Sequence, residues 1–176
     1  MSCVIGLVDN GRVWMGGDSI AVDSAGWKVS DNSPKVFRRE NYVLGVAGSI
    51  RLRQLLRFEA LPELRADEPE RSVEVLVETI REMAEAKKLL DGAGELPSTG
   101  LLVGFAGCLF DVQPNFGVVS PRCGYSAIGV GGPAALGALA ILAHSNKGPE
   151  ERIKQALSAS AQFCAMVCPP FVVESL

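Results

Sequence analysis

Apolar and polar positions fall into short strand-like blocks over the first fifty residues and into helical spacing after them. Val4 to Val8 is an apolar run, and Asp9-Asn10-Gly11 carries the Asn-Gly pair that favours a tight primed turn. Val13 to Gly17 is the return strand and leads to Asp18-Ser19. A second pair is predicted from Lys35-Val36-Phe37, a turn at Arg39-Glu40-Asn41, and Tyr42 to Gly48. The last run is apolar almost throughout, so it is expected to be buried on both faces.

Helical spacing begins at Ile50, Leu52, Leu55 and Leu56 and stops before Pro62. A second helix is predicted over Glu70 to Leu90, with Val73, Val77, Ile80 and Met83 or Ala84 inward, ended by Asp91-Gly92-Ala93-Gly94. Both helices offer more apolar positions than one core-facing stripe uses, which predicts contacts with other subunits. Strands follow at Thr99 to Phe105, Leu109 to Val112, Phe116 to Val119 and Gly124 to Ile128. Pro133 opens a helix rich in Ala and Gly, and Pro149-Glu150-Glu151 opens one that runs to about Val167. Phe171 to Val173 is a terminal strand. The order predicts an α+β chain in which residues 1–176 form one domain, without internal repeat or linker.

Composition narrows the function classes. Of 176 residues, 48% are hydrophobic and 21% charged, which excludes disorder. A net charge of −3 and no large basic cluster argue against nucleic-acid binding. The five cysteines are odd in number and scattered, and read as reduced, largely buried thiols. Cys164 and Cys168 could face one another on a helix, but one histidine, His144, placed near a helix end, leaves no metal-ligand set. Residues 123–146 lack formal charge, yet Gly129-Val130-Gly131-Gly132-Pro133 interrupts them, so no membrane span is expected. A lone Gly-x-Gly-Gly without a following lysine is weak evidence for phosphate binding. No charged leader precedes an apolar stretch, which predicts a cytoplasmic protein without a signal peptide.

The candidate chemistry starts at Ser2. If Met1 is removed, Ser2 carries both a hydroxyl nucleophile and a free α-amine able to act as its base. Such an amine titrates at about 7.7–8.0, near working pH. An adjacent ammonium would keep the amine neutral, and Lys35 is placed for that role. Lys28 competes for it, without the following Val-Phe. Asp18 would supply the buried lysine's counter-charge. Gly48, at a strand-to-helix corner, would offer a backbone N–H to an oxyanion, with Ser49 as the helix N-cap. Removal of Ser2 as well would expose the thiol of Cys3 as an amino-terminal nucleophile, but alternation along the strand points Cys3 to the opposite face and toward the core.

The ordered set Val-Ile-Gly strand, Asn-Gly turn, Gly16-Gly17-Asp18-Ser19, Lys35-Val36-Phe37 and Val46-Ala47-Gly48-Ser49 opening a helix resembles the β-type subunits of the proteasome and their bacterial ring-forming relatives. The resemblance is dense over residues 2 to 58 and returns at Tyr125 to Gly132. It implies a four-layer αββα sandwich of the amino-terminal-nucleophile hydrolase type. It implies a peptidase with catalytic Ser2, Asp18, Lys35 and Gly48, and a pocket of Ala21, Val46 and Ile50 favouring apolar side chains. It further implies peptide or unfolded-protein substrates, a homo-oligomeric ring and no metal or organic cofactor, and it leaves open an ATP-dependent unfoldase as partner. The sequence departs from the family by having serine where threonine is usual. It has Gly132 where the Gly-rich turn has serine, and no Asp-x-x-Ser over Ala165 to Pro170. Ser126 or backbone carbonyls are the substitutes for orienting the amine. A catalytically silent scaffold subunit and an amidohydrolase acting on a small molecule are the alternatives.

Overall fold

The computed structural model describes residues 2–23 and 25–176. The expected removal of Met1 therefore concerns a residue outside those described. β1 (Val4–Asp9) and β2 (Arg12–Gly17) form the predicted hairpin, with Asn10 and Gly11 both at positive φ. They sit at the centre of a four-stranded sheet, order β10-β1-β2-β11, completed by β10 (Tyr125–Ile128) and β11 (Val172–Ser175). The second sheet has the order β5-β6-β7-β8-β9. Its strands are β5 (Val36–Arg39), β6 (Tyr42–Ala47), β7 (Gly100–Phe105), β8 (Cys108–Val112) and β9 (Val118–Val119). A separate hairpin joins β3 (Ile20–Val22) to β4 (Lys28–Ser30).

Three apolar clusters define four layers. Val4, Val13 and Met15 of the first sheet pack against Val43, Leu102 and Leu109 of the second, so the sheets lie face to face. Cys3, Ile5 and Leu7 point the other way, toward α3 (Gly132–Leu142) and α4 (Pro149–Phe163). Leu44, Val46, Leu101 and Val103 carry α1 (Ile50–Phe58) and α2 (Pro69–Ala86) on the outer face of the second sheet. This is the αββα sandwich. Every residue of β6 is buried, because its odd and even positions serve different layers. Gly45 lets the sheets approach: a Cβ there would lie 2.6 Å from Met15 Sδ.

Several boundaries differ from the sequence reading. The β3–β4 hairpin is absent from it, because Lys28-Val29-Ser30 is exposed at all three positions and leaves no apolar signal. α2 starts at Pro69 and stops at Ala86, not Leu90. Lys88 takes positive φ, and the bonds Lys88 N–H to Glu85 O (2.9 Å) and Leu89 N–H to Ala84 O (2.9 Å) form a Schellman closure. Leu89 and Leu90, which extended the apparent helix, fold back onto the α2 core. α4 likewise ends at Phe163, and Val167 turns back into the α3–α4 cluster.

The apolar surplus expected of Leu52, Leu55, Leu56 and Val73 to Ile80 is also revised. All of those named leucines, with Val73, Val77 and Ile80, are buried in the core. The exposed apolar side chains of these helices are Ile50, Phe58 and Val75.

Candidate active site

Strand parity decides what the first residues face. Val4 lies between the sheets, while Cys3 and Ile5 lie under α3 and α4. Ser2 shares the parity of Val4 and is itself buried. It lines a small pocket between the β3 segment and the β6–α1 corner. The same pocket is lined by Lys35, Gly48, Ala21, Val46 and Ile50. Of the seven site residues expected from the sequence, six therefore converge on one cavity, and the seventh, Asp18, stands directly behind Lys35. Lys28 lies elsewhere, exposed on β4 with its Nζ 3.5 Å from Cys168 Sγ.

Asp18 and Lys35 are buried together. Lys35 Nζ donates to Asp18 Oδ2 at 2.7 Å, with side-chain exposures of 3% and 0%. The other oxygen, Oδ1, accepts the N–H of Cys3 at 2.8 Å, which fixes the peptide just after Ser2. The backbone repeats the tie, Asp18 N–H donating to Cys3 O at 3.2 Å. Burial pulls the Lys35 ammonium below the usual lysine range, opposed by Asp18. The charge of Arg53 pushes the same way as burial.

Gly48 closes the β6–α1 corner at φ +105°, a backbone region that favours glycine. A Cβ there would meet Ser98 O at 2.3 Å, so glycine is required twice over. The expected N-cap at Ser49 is present, its hydroxyl accepting Leu52 N–H at 3.1 Å. On the other side of Ser2, the Gly-rich turn holds its carbonyl: Gly131 N–H donates to Ser2 O at 3.2 Å. Gly129 presses on the same carbonyl, since a Cβ there would lie 2.3 Å from Ser2 O. The buried hydroxyl of Ser160 donates to Gly131 O at 2.9 Å and braces this turn from α4. Ser160 was not anticipated, because a serine within a helical apolar stripe carries no signal of a partner thirty residues away.

Ser126 does something other than the sequence reading suggested. It pairs with Gly6 across β1, well along the strand from Ser2, and its hydroxyl donates to Asp111 Oδ2 at 2.5 Å. Asp111 lines a cleft of about 580 Å³ that also touches Gly48 and Gly129, so it flanks the Ser2 pocket. Cys3 is an unsuitable nucleophile here, because burial pushes its thiol up to about 12.

No family model matches the sequence, and no curated protein is detectably similar to it. Solved structures are. Thiobacillus denitrificans BPH in complex with epoxomicin matches with TM-score 0.81 at 18% identity, covering 99% of this chain and 97% of that one. HslV from Trypanosoma brucei gives TM-score 0.75 at 18% identity, covering 98% of each chain. The Anbu (Gly-1) mutant from a Hyphomicrobium strain gives 0.72 at 12% identity, covering 98% of this chain and 80% of that one. The chain has the proteasome β-type fold.

Within that fold the pocket sits at the start of β1, beside the corner that leads into α1. Among the described residues no group of three His, Cys, Asp or Glu side chains could hold a metal ion. Cys164 caps α4 and Cys168 lies beyond it, so the two do not share a helix. Among the described residues no helix is long and apolar enough to cross a membrane.

Proposed function

We propose that the chain is an amino-terminal-serine peptidase that hydrolyses peptide bonds inside a homo-oligomeric ring. The observation that carries the reading is the shared pocket of Ser2, Lys35 and Gly48, with the Asp18 carboxylate held behind the lysine.

The reaction follows from this arrangement. After Met1 is removed, the α-amine of Ser2 accepts the hydroxyl proton as Oγ bonds to the substrate carbonyl carbon. The Lys35 ammonium favours the neutral amine and the developing alkoxide. The Gly48 N–H donates to the carbonyl oxygen as it becomes an oxyanion. The amine then passes its proton to the leaving nitrogen as the C–N bond breaks, leaving an acyl ester on Ser2. Water attacks that ester, losing a proton to the same amine, and the released serine is restored. No step calls for a metal or organic cofactor.

The ring, peptide or unfolded-protein substrates and a feeding ATP-dependent unfoldase belong to the same reading and rest on the resemblance; a cytoplasmic location belongs to it too and rests on the scattered cysteines. The decisive mutation is Ser2→Ala, which should abolish cleavage of fluorogenic peptides while secondary structure and assembly persist. Full activity in that variant would overturn the mechanism. The alternative reading is an amidohydrolase of the same mechanism acting on a small molecule. Cleavage of small amides without cleavage of peptides would establish it.

A further inference from the structure

The sequence reading expects apolar side chains in the pocket beside Ser2. Ala21, Val46 and Ile50 do line it, but so does Arg53. Ile50 and Arg53 are three residues apart on α1 and so share one helix face. Arg53 is only 3% exposed, an unusual burial for a guanidinium on a short surface helix. One of its terminal nitrogens pairs with Asp31 Oδ2. Its Nε–H has no hydrogen-bond partner among the described residues and is buried. Arg152, paired with Asp9 away from this pocket, has an unpartnered buried Nε as well, so the weight falls on the position of the Arg53 guanidinium in the pocket lining.

The charges are arranged asymmetrically around the pocket. Its lining includes two cations, Lys35 and Arg53, and no carboxylate. The compensating Asp18 and Asp31 bind those cations from outside the lining. Arg53 is near enough to depress the protonation of Lys35, so the two positive charges act on the same small volume. A purely hydrocarbon group placed there would gain nothing from the field of these two cations.

We infer that the pocket beside Ser2 selects a short substrate side chain ending in an oxygen acceptor, a carboxamide or carboxylate, with Arg53 as the residue that recognises it. This rests on the peptidase reading and names the substrate class of the same site. Aspartate and asparagine are the shortest side chains that meet the requirement, and leucine has their shape without the acceptor.

The test uses the assembled full-length protein and three peptidyl coumarin amides identical except for Asp, Asn or Leu at the residue supplying the scissile carbonyl. The expected result is kcat/KM for Asp and Asn at least about tenfold above Leu, the discrimination typical of one matched buried donor. In Arg53→Met/Asp31→Asn, which removes the guanidinium without stranding the carboxylate, the ratio should fall to about one or below. Arg53→Lys, which keeps the charge but replaces the planar guanidinium fork by a compact ammonium, should give an intermediate ratio. Leucine cleaved as well as asparagine by the unmodified protein, or a ratio unchanged in the double variant, overturns the inference while Ser2-dependent cleavage leaves the peptidase reading standing. Cleavage of none of the three, or cleavage that survives Ser2→Ala, overturns the peptidase reading and this inference with it.

Discussion

Asp18 binds Lys35 with one carboxylate oxygen, at 2.7 Å, and the peptide N–H of Cys3 with the other, at 2.8 Å. One buried side chain thus orients the lysine and the first turn of chain after Ser2. Lys35→Met strands a carboxylate that is almost wholly inaccessible, and should cost about 3–5 kcal/mol of stability. Asp18→Asn should cost a comparable amount, because the lysine loses its partner. The double variant should lose less than the sum of the two, which denaturant unfolding of all four proteins will show. Peptide cleavage should be nearly absent from each variant.

Gly48 provides a sharper geometric test. Any side chain there collides with Ser98 O and forces a positive φ on an L-residue. Gly48→Ala should therefore lower kcat by at least about a hundredfold, the loss seen when an oxyanion donor is displaced. The reason is that the corner must rotate to relieve the clash. Steady-state kinetics with one fluorogenic peptide suffices, and near-normal kcat would remove Gly48 from the mechanism.

Asp111 makes a prediction about pH. Burial raises its carboxyl above the ordinary aspartate value of 3.8, against the hydrogen bonds from Ser126 and Gln113. Between 3.8 and the folded-state pKa the folded protein therefore holds more protons than the unfolded chain. This group's contribution to stability accordingly falls as pH rises through that window. Asp111→Asn removes the slope, so its melting temperature relative to the unmodified protein should increase from pH 3.5 to about pH 6. A difference independent of pH would contradict the assignment.

Assembly is expected as well. Ile50 and Phe58 on α1, Ile141 on α3 and Phe163 on α4 are exposed apolar side chains on both outer layers. A closed ring gives these layers neighbours. Light scattering at micromolar concentration should return a mass that is a multiple of 18.6 kDa. Phe58→Glu or Phe163→Glu should reduce it. A stable monomer would shift preference to the small-molecule amidohydrolase.

Much of this was legible in the sequence, for physical reasons. The hairpin before Asp18 followed from Asn10-Gly11, the order of strands and helices followed from the apolar runs and helix periods, and the four layers followed from the family resemblance. The convergence of Ser2, Lys35 and Gly48 was legible through motif order. What stayed hidden were polar groups whose partners lie far along the chain. Arg53 stayed hidden, since nothing in its neighbours reveals a pocket or Asp31. Ser160 and Asp111 were silent for the same reason. The β3–β4 hairpin was hidden because its β4 strand is exposed on both faces.

The central claim is that Ser2 is an amino-terminal nucleophile, and intact mass spectrometry after treatment with a peptide epoxyketone tests it most directly. That reagent offers electrophilic carbons to a hydroxyl and an amine, which only a free amino-terminal serine or threonine presents together. The account predicts a chain lacking Met1 that gains the mass of one inhibitor, with fragmentation locating it on Ser2 and no gain in Ser2→Ala. A chain that retains Met1 and stays unmodified would contradict it.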